Sequence, residues 1–282
     1  MHSLPKIVKN LGIVAVLSGL AFIFHTTFME AHEEHSAPSS TTINHDSTPE
    51  NTKKKPTVQD HHSTPRDPNK KPLVEELTPK ERAVERFLNQ GLEKLDRQNY
   101  QEALKDFNQA LALDPSHENT RISRGDLLLQ KREYQKAIAD YTEAIEQNPT
   151  FAYTYLSRGQ AYEALGKYQE AIADYTQALE IYPEDGFGYS HRGAVYAQIG
   201  EHQKAMADLN KAIELNPGRA DAYLNRGKLH AKLGLQTSNN PQAAAAFNKE
   251  AASDYQQAAK LFSEQGKTAE FQKAMKLMKA LK

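Results

Sequence analysis

Apolar positions divide the 282-residue chain into three regimes. Residues 10–29 carry no charge and are apolar from Leu11 to Phe24 apart from Ser18, and residues 31–77 show no apolar period. From residue 78 onward the same spacing of large, small and polar positions returns every 34 residues. Pro115, Pro149, Pro183 and Pro217 mark that interval, and Gly91, Gly125, Gly159, Gly193 and Gly227 keep it. So do Ala103, Ala137, Ala171 and Ala205. Within residues 152–185, Tyr155, Gly159 and Tyr162 lie at i, i+4 and i+7, one face of a helix that Gly166 ends. Ala171, Tyr175 and Ala178 repeat the spacing on a second helix, which Pro183 stops because proline has no amide proton to donate. Gly159 and Ala171 are small enough to let the two backbones approach.

Two helices per 34-residue period predict an all-α fold, a right-handed α-solenoid of about five helix-turn-helix repeats. The units are 84–117, 118–151, 152–185, 186–219 and 220–265, with a cap over 267–282. The fifth unit carries a 12-residue insertion, since Ala251 follows Ala205 by 46 residues instead of 34. Gln242 to Phe262 has no helix breaker, so its second helix is expected to extend backwards by about three turns. Thr78-Pro79-Lys80-Glu81 reads as a capping box that starts the first helix at residue 79. At the other end, Phe271, Met275 and Met278 share one helical face, with Lys273, Lys276 and Lys279 on the other.

The run Tyr155-Leu156-Ser157-Arg158-Gly159-Gln160-Ala161-Tyr162, followed by Ala171, Tyr175, Ala178 and Pro183, resembles the tetratricopeptide repeat motif. The resemblance covers residues 84 to about 265, and it departs from the motif at Arg121 and at the Arg preceding each Gly from the second unit on. It implies a concave inner face, lined by first helices, that binds peptides or helices of partner proteins. The family's inner positions are the second, fifth and ninth of each unit. On that mapping Leu88, Ile122, Tyr153, Leu156, Phe187 and Leu224 form the expected partner-binding groove. Members that grip a C-terminal carboxylate use Lys and Asn where Leu88 and Leu92 stand, so no such clamp is expected.

The N-terminal region reads differently. Residues 10–29 are long enough, at roughly 30 Å as a helix, to cross a bilayer. Lys6 and Lys9 precede the run and Glu30, Glu33 and Glu34 follow it. That asymmetry predicts a signal anchor over residues 1–30, with a cytoplasmic N-terminus and an extracytoplasmic domain over 78–282, in a periplasm or thylakoid-lumen type of compartment. A cleaved signal would release the domain, and Met29-Glu30-Ala31 is a poor cleavage site. Residues 31–77 hold six of the chain's 13 prolines and too few apolar residues for a core, so a disordered linker about 40 Å long is expected.

Composition narrows the chemistry. Lys plus Arg is 35 and Asp plus Glu is 36, a balance that gives no ground for a nucleic-acid partner. Cysteine is absent, which removes disulfides, thiolate metal sites and cysteine nucleophiles. No phosphate-binding glycine loop occurs, and Gly186-Phe187-Gly188 opens a helix after a helix, not after a strand. No catalytic residue, cofactor, metal site or small-molecule substrate is expected, and the chain is not expected to be an enzyme. The linker histidines His32, His35, His45, His61 and His62 have no fixed ligand spacing. Arg124, Arg158, Arg192 and Arg226 share the 34-residue period with Asp106, Asp140, Asp174 and Asp208, so structural Arg–Asp pairing is expected. The resulting expectation is a membrane-tethered interaction scaffold of unidentified protein partner, serving membrane or envelope complex assembly. Alternatives are a regulatory adaptor of a peptidase or cell-wall enzyme, and a metal-handling protein acting through the His-rich linker.

Overall fold

The computed structural model describes residues 77–281. The expected anchor and nearly all of the expected linker, with its histidines, lie outside the described residues. Eleven helices and no strand occur within them. They are α1 (Pro79–Asp96), α2 (Tyr100–Leu113), α3 (Glu118–Gln130), α4 (Tyr134–Gln147), α5 (Ala152–Ala164), α6 (Tyr168–Ile181), α7 (Gly186–Gln198), α8 (His202–Leu215), α9 (Ala220–Gln236), α10 (Pro241–Glu264) and α11 (Thr268–Lys279). They pair as α1/α2 through α9/α10, and α11 closes the stack against α10. The chain is therefore a helical solenoid of repeats.

Local chemistry sets the helix ends. Thr78 accepts from the Glu81 amide at 3.2 Å, and the Glu81 carboxylate accepts from the Thr78 amide at 2.7 Å. In the first four repeats the turn between first and second helices has one residue of left-handed backbone. Gly166 (φ 71°) and Gly200 (φ 85°) supply it without strain, whereas Gln98 (φ 58°) and Arg132 (φ 61°) adopt it against the preference of a side chain. After each of the first four second helices the chain turns into a proline. Asp114, Asn148 and Asn216 stabilise three of those turns by accepting from the backbone amide two residues on.

The core is one large apolar side chain per repeat, a ring in four of the five and Leu209 in the fourth. Phe107, Tyr141, Tyr175, Leu209 and Tyr255 are fully or almost fully buried, and each lies on the glycine of its partner helix. A Cβ at Gly125 would meet the Tyr141 ring at 2.7 Å, and one at Gly159 the Tyr175 ring at 2.7 Å. The glycines are therefore contact surfaces for the second helix.

The fifth repeat departs from the expected geometry. Helix α10 starts ten residues ahead of Ala251, whereas α8 starts three ahead of Ala205. The backward extension is thus seven residues, about two turns and not three. Four more residues lengthen α9, which runs through Gly234 to Gln236, and the last one lies in the turn. Gly234 stands at the register of Gly166 and Gly200, yet here it is helical and buried. It admits α10, whose Asn248 Oδ1 would lie 2.7 Å from a Cβ at that position. The extra length leaves Leu235 78% exposed.

Candidate functional site

Successive first helices touch one another, α1 to α3, α3 to α5, α5 to α7 and α7 to α9, and no such run of contacts joins successive second helices. The first helices therefore line the inner, shorter side of the stack. A seam of polar contacts bridges them. The Glu85 carboxylate lies 3.5 Å from His117 Nε2. Tyr153 Oη donates to Asp126 at 3.0 Å, and Ser190 Oγ donates to Asp221 at 2.9 Å. His191 Nδ1 lies 3.0 Å from Glu163, and Lys232 Nζ donates to the Ala197 carbonyl at 2.8 Å.

The structure separates the six expected groove residues into two groups. Leu88, Ile122, Leu156 and Leu224 are only 2%, 6%, 6% and 6% exposed. They pack in the helix interfaces and present almost no surface, which corrects the expectation that they form an open apolar stripe. Tyr153 and Phe187 are half-buried and belong to the seam. The Phe187 ring lies 4.2 Å from the His191 ring and 5.5 Å under the Arg219 guanidinium, and Tyr153 lies 5.9 Å from Phe151. Sequence reasoning did not single out Asp126, Glu163, His191 and Asp221 as a set. Each stands at a position where the repeats differ, so no period marks it.

Residues 88–150 and 122–186 match a family model described as tetratricopeptide repeat, and residues 193–234 match one described as TPR repeat. The chain carries tetratricopeptide repeats. Comparison with curated proteins returns no match. Among solved structures, MamA aligns with a TM-score of 0.52 and 24% identity, over 60% of this chain and 96% of MamA. YrrB, described as a TPR protein with an unusual peptide-binding site, aligns at 0.51 and 20%, over 64% of this chain and 96% of its own. TTC0263, a thermophilic TPR protein of Thermus thermophilus, aligns at 0.54 and 20%, over 68% and 99%. At these identities the likeness is one of fold.

Within the tetratricopeptide repeats, the Arg–Asp series joins helices twice over. Arg158 donates through Nε and Nη2 to both oxygens of Asp174 at 2.8 Å, and through Nη1 to Thr142 of the preceding repeat at 3.0 Å. Arg192 does the same with Asp208 and Thr176, Arg124 with Asp140 and Asn108, and Arg226 with Asp254 and Asn210. The first repeat has Gln90 at that register, and Lys94 meets Asp106 instead. Each Arg–Asp pair thus lies within its own repeat, and the third nitrogen of the same Arg reaches an Asn or Thr of the repeat before it.

The seam carboxyls are tuned in opposite directions. Burial lifts Asp126 to about 7, although the hydroxyls of Tyr141 and Tyr153 donate to it and pull the other way. Burial also opposes ionisation of Glu163, but donation and charge from His191, with the Tyr175 hydroxyl, hold it below the usual carboxylate range. Burial would lower His191, and the Glu163 carboxylate outweighs that and raises it. These shifts set a sign for stability. A carboxyl whose folded value is raised stabilises the fold fully below its unfolded value near 4 and loses that contribution as pH rises to about 7. Relative to Asp126→Asn, the wild-type chain should lose about 2–4 kcal/mol over that interval in denaturant titrations. A difference independent of pH would refute the assignment.

Proposed function

We propose that this chain is a non-catalytic interaction scaffold whose inner face holds a peptide or helix of a protein partner. The observation that carries the reading is the seam itself. Half-buried Tyr153 and Phe187 lie among polar groups along one continuous row of first helices. Aromatic anchors within a polar frame are how grooves hold a peptide or amphipathic helix. YrrB is described as having a peptide-binding site, which agrees with the same use of a similar fold. Gln160 and Ala194 occupy the ninth position of the third and fourth repeats and are half-buried. Gln160→Arg and Ala194→Arg should fill the groove and abolish partner crosslinking in native membranes while melting shifts by only a few degrees. Crosslinking that persists in both variants would overturn the reading.

Membrane tethering belongs to the same proposal. It is supported by the uncharged stretch over residues 10–29 and by the Lys6 and Lys9 bias ahead of it. The repeats then work outside the cytoplasm, in assembly of membrane or envelope complexes. A reporter active only in the cytoplasm, fused after Lys282, should be inactive; an active reporter would place the repeats in the cytoplasm.

A further inference from the structure

We propose that Asp126 is a subsite for a cationic side chain, an arginine or lysine carried by the segment that lies in the inner groove. This rests on the groove reading above and deepens it. Four carboxylates take part in the seam, and three already have a basic partner. Glu85 has His117 at 3.5 Å, Glu163 has His191 at 3.0 Å, and Asp221 has Arg219 at 3.6 Å. Asp126 has none. Tyr141 Oη, from α4, donates to its Oδ1 at 2.7 Å, and Tyr153 Oη, from α5, donates to its Oδ2 at 3.0 Å. Neither α1 nor α2 offers it a hydrogen bond or an ion pair.

The two hydroxyls fix the carboxylate without neutralising it. A carboxylate has about four acceptor sites, so each oxygen keeps one beyond its phenol. Those two are suited to the fork of a guanidinium or to an ammonium. The two tyrosines hold the plane of the group, so a ligand finds it already oriented. Desolvated and without a cation, the carboxyl is held in part as the neutral acid near pH 7. An incoming cation restores the charge balance and displaces the proton. Cation binding therefore strengthens as pH rises, opposite in sign to the effect of Asp126 on folding.

The test pans a random linear-peptide library on the full chain at pH 8. Enriched peptides should share an arginine or lysine at one common position, and Gln160→Arg should abolish their binding. Asp126→Asn should weaken a chosen arginine peptide about tenfold or more. Wild-type binding of that peptide should be about tenfold weaker at pH 6 than at pH 8, while Asp126→Asn is flat. Peptides that need an open groove but share no basic residue, or that bind Asp126→Asn equally, overturn this inference and leave the groove standing. Enrichment insensitive to Gln160→Arg overturns both. If Asp126→Asn does not fold, Tyr153→Phe decides. Losing one donor to the charged form should move the midpoint of the pH profile upward, and an unmoved midpoint rejects the subsite.

Discussion

Gly159→Leu should lower stability by about 3 kcal/mol or more, because the first added atom already collides with the core. A Cβ on Gly159 would stand 2.7 Å from Tyr175 Cε1 and 2.9 Å from its Cδ1. That ring is fully buried and has no free side to move toward. Relief must come from separating α5 and α6, which also loosens the Arg158–Asp174 bonds that join them. For a folded unit of this size the melting temperature should fall by roughly 6–12 °C. Gly166→Leu is the control. Its Cβ meets nothing within 4 Å, so its cost is limited to placing a side chain at φ 71°. Equal melting temperatures for the two variants would mean that close approach at Gly159 does not hold the pair together.

Arg158→Ala should cost about 2–4 kcal/mol, chiefly through what it leaves behind. Asp174 is buried and takes two hydrogen bonds from Arg158. Without them the carboxylate keeps its desolvation penalty and loses its compensation, and Thr142 of the preceding repeat loses a donor. Arg158→Lys should recover only part of the loss, since an ammonium cannot reproduce the fork. A double variant with Asp174→Ala should cost less than the sum of the two single changes. Strict additivity in denaturant titrations would show that the pair makes no coupled contribution.

Much of the fold was legible because its physical requirements recur. A large apolar side chain on a glycine needs the glycine in every repeat, whether the side chain is a ring or Leu209, so Gly91 to Gly227 announce themselves by interval. The Thr78 capping box is likewise local, four residues that satisfy one another. The fifth repeat was only partly legible. Gly234 has the register of a turn glycine, but its use was decided by α10 packing on it, a contact no local pattern encodes. The left-handed backbone at Gln98 and Arg132 was hidden for the same reason, since the side chain does not favour what the turn demands. The inner face was the least legible part. Leu88, Ile122, Leu156 and Leu224 have the apolar character of a binding stripe and of a core alike, and burial decided for the core. Asp126 stands at the ninth position of the second unit, on the inner face, but the convergence of two tyrosines from different helices on it is a tertiary contact that no local pattern encodes.

The guanidinium groups also bear on cooperativity. A solenoid is a nearly one-dimensional chain in which each repeat feels only its neighbours, so the strength of the junctions decides whether it melts as a unit or frays piecemeal. Arg124, Arg158, Arg192 and Arg226 each close their own helix pair with one edge and grip the previous repeat with the other. Opening one repeat therefore strips a bond from the next junction as well, and all four junctions are linked in this way. Helix α11 lies outside that chain of links, held by apolar contacts to α10 around Ala274 and Phe271. Amide protons of the five repeats should consequently exchange in one cooperative opening, with those of α11 released earlier.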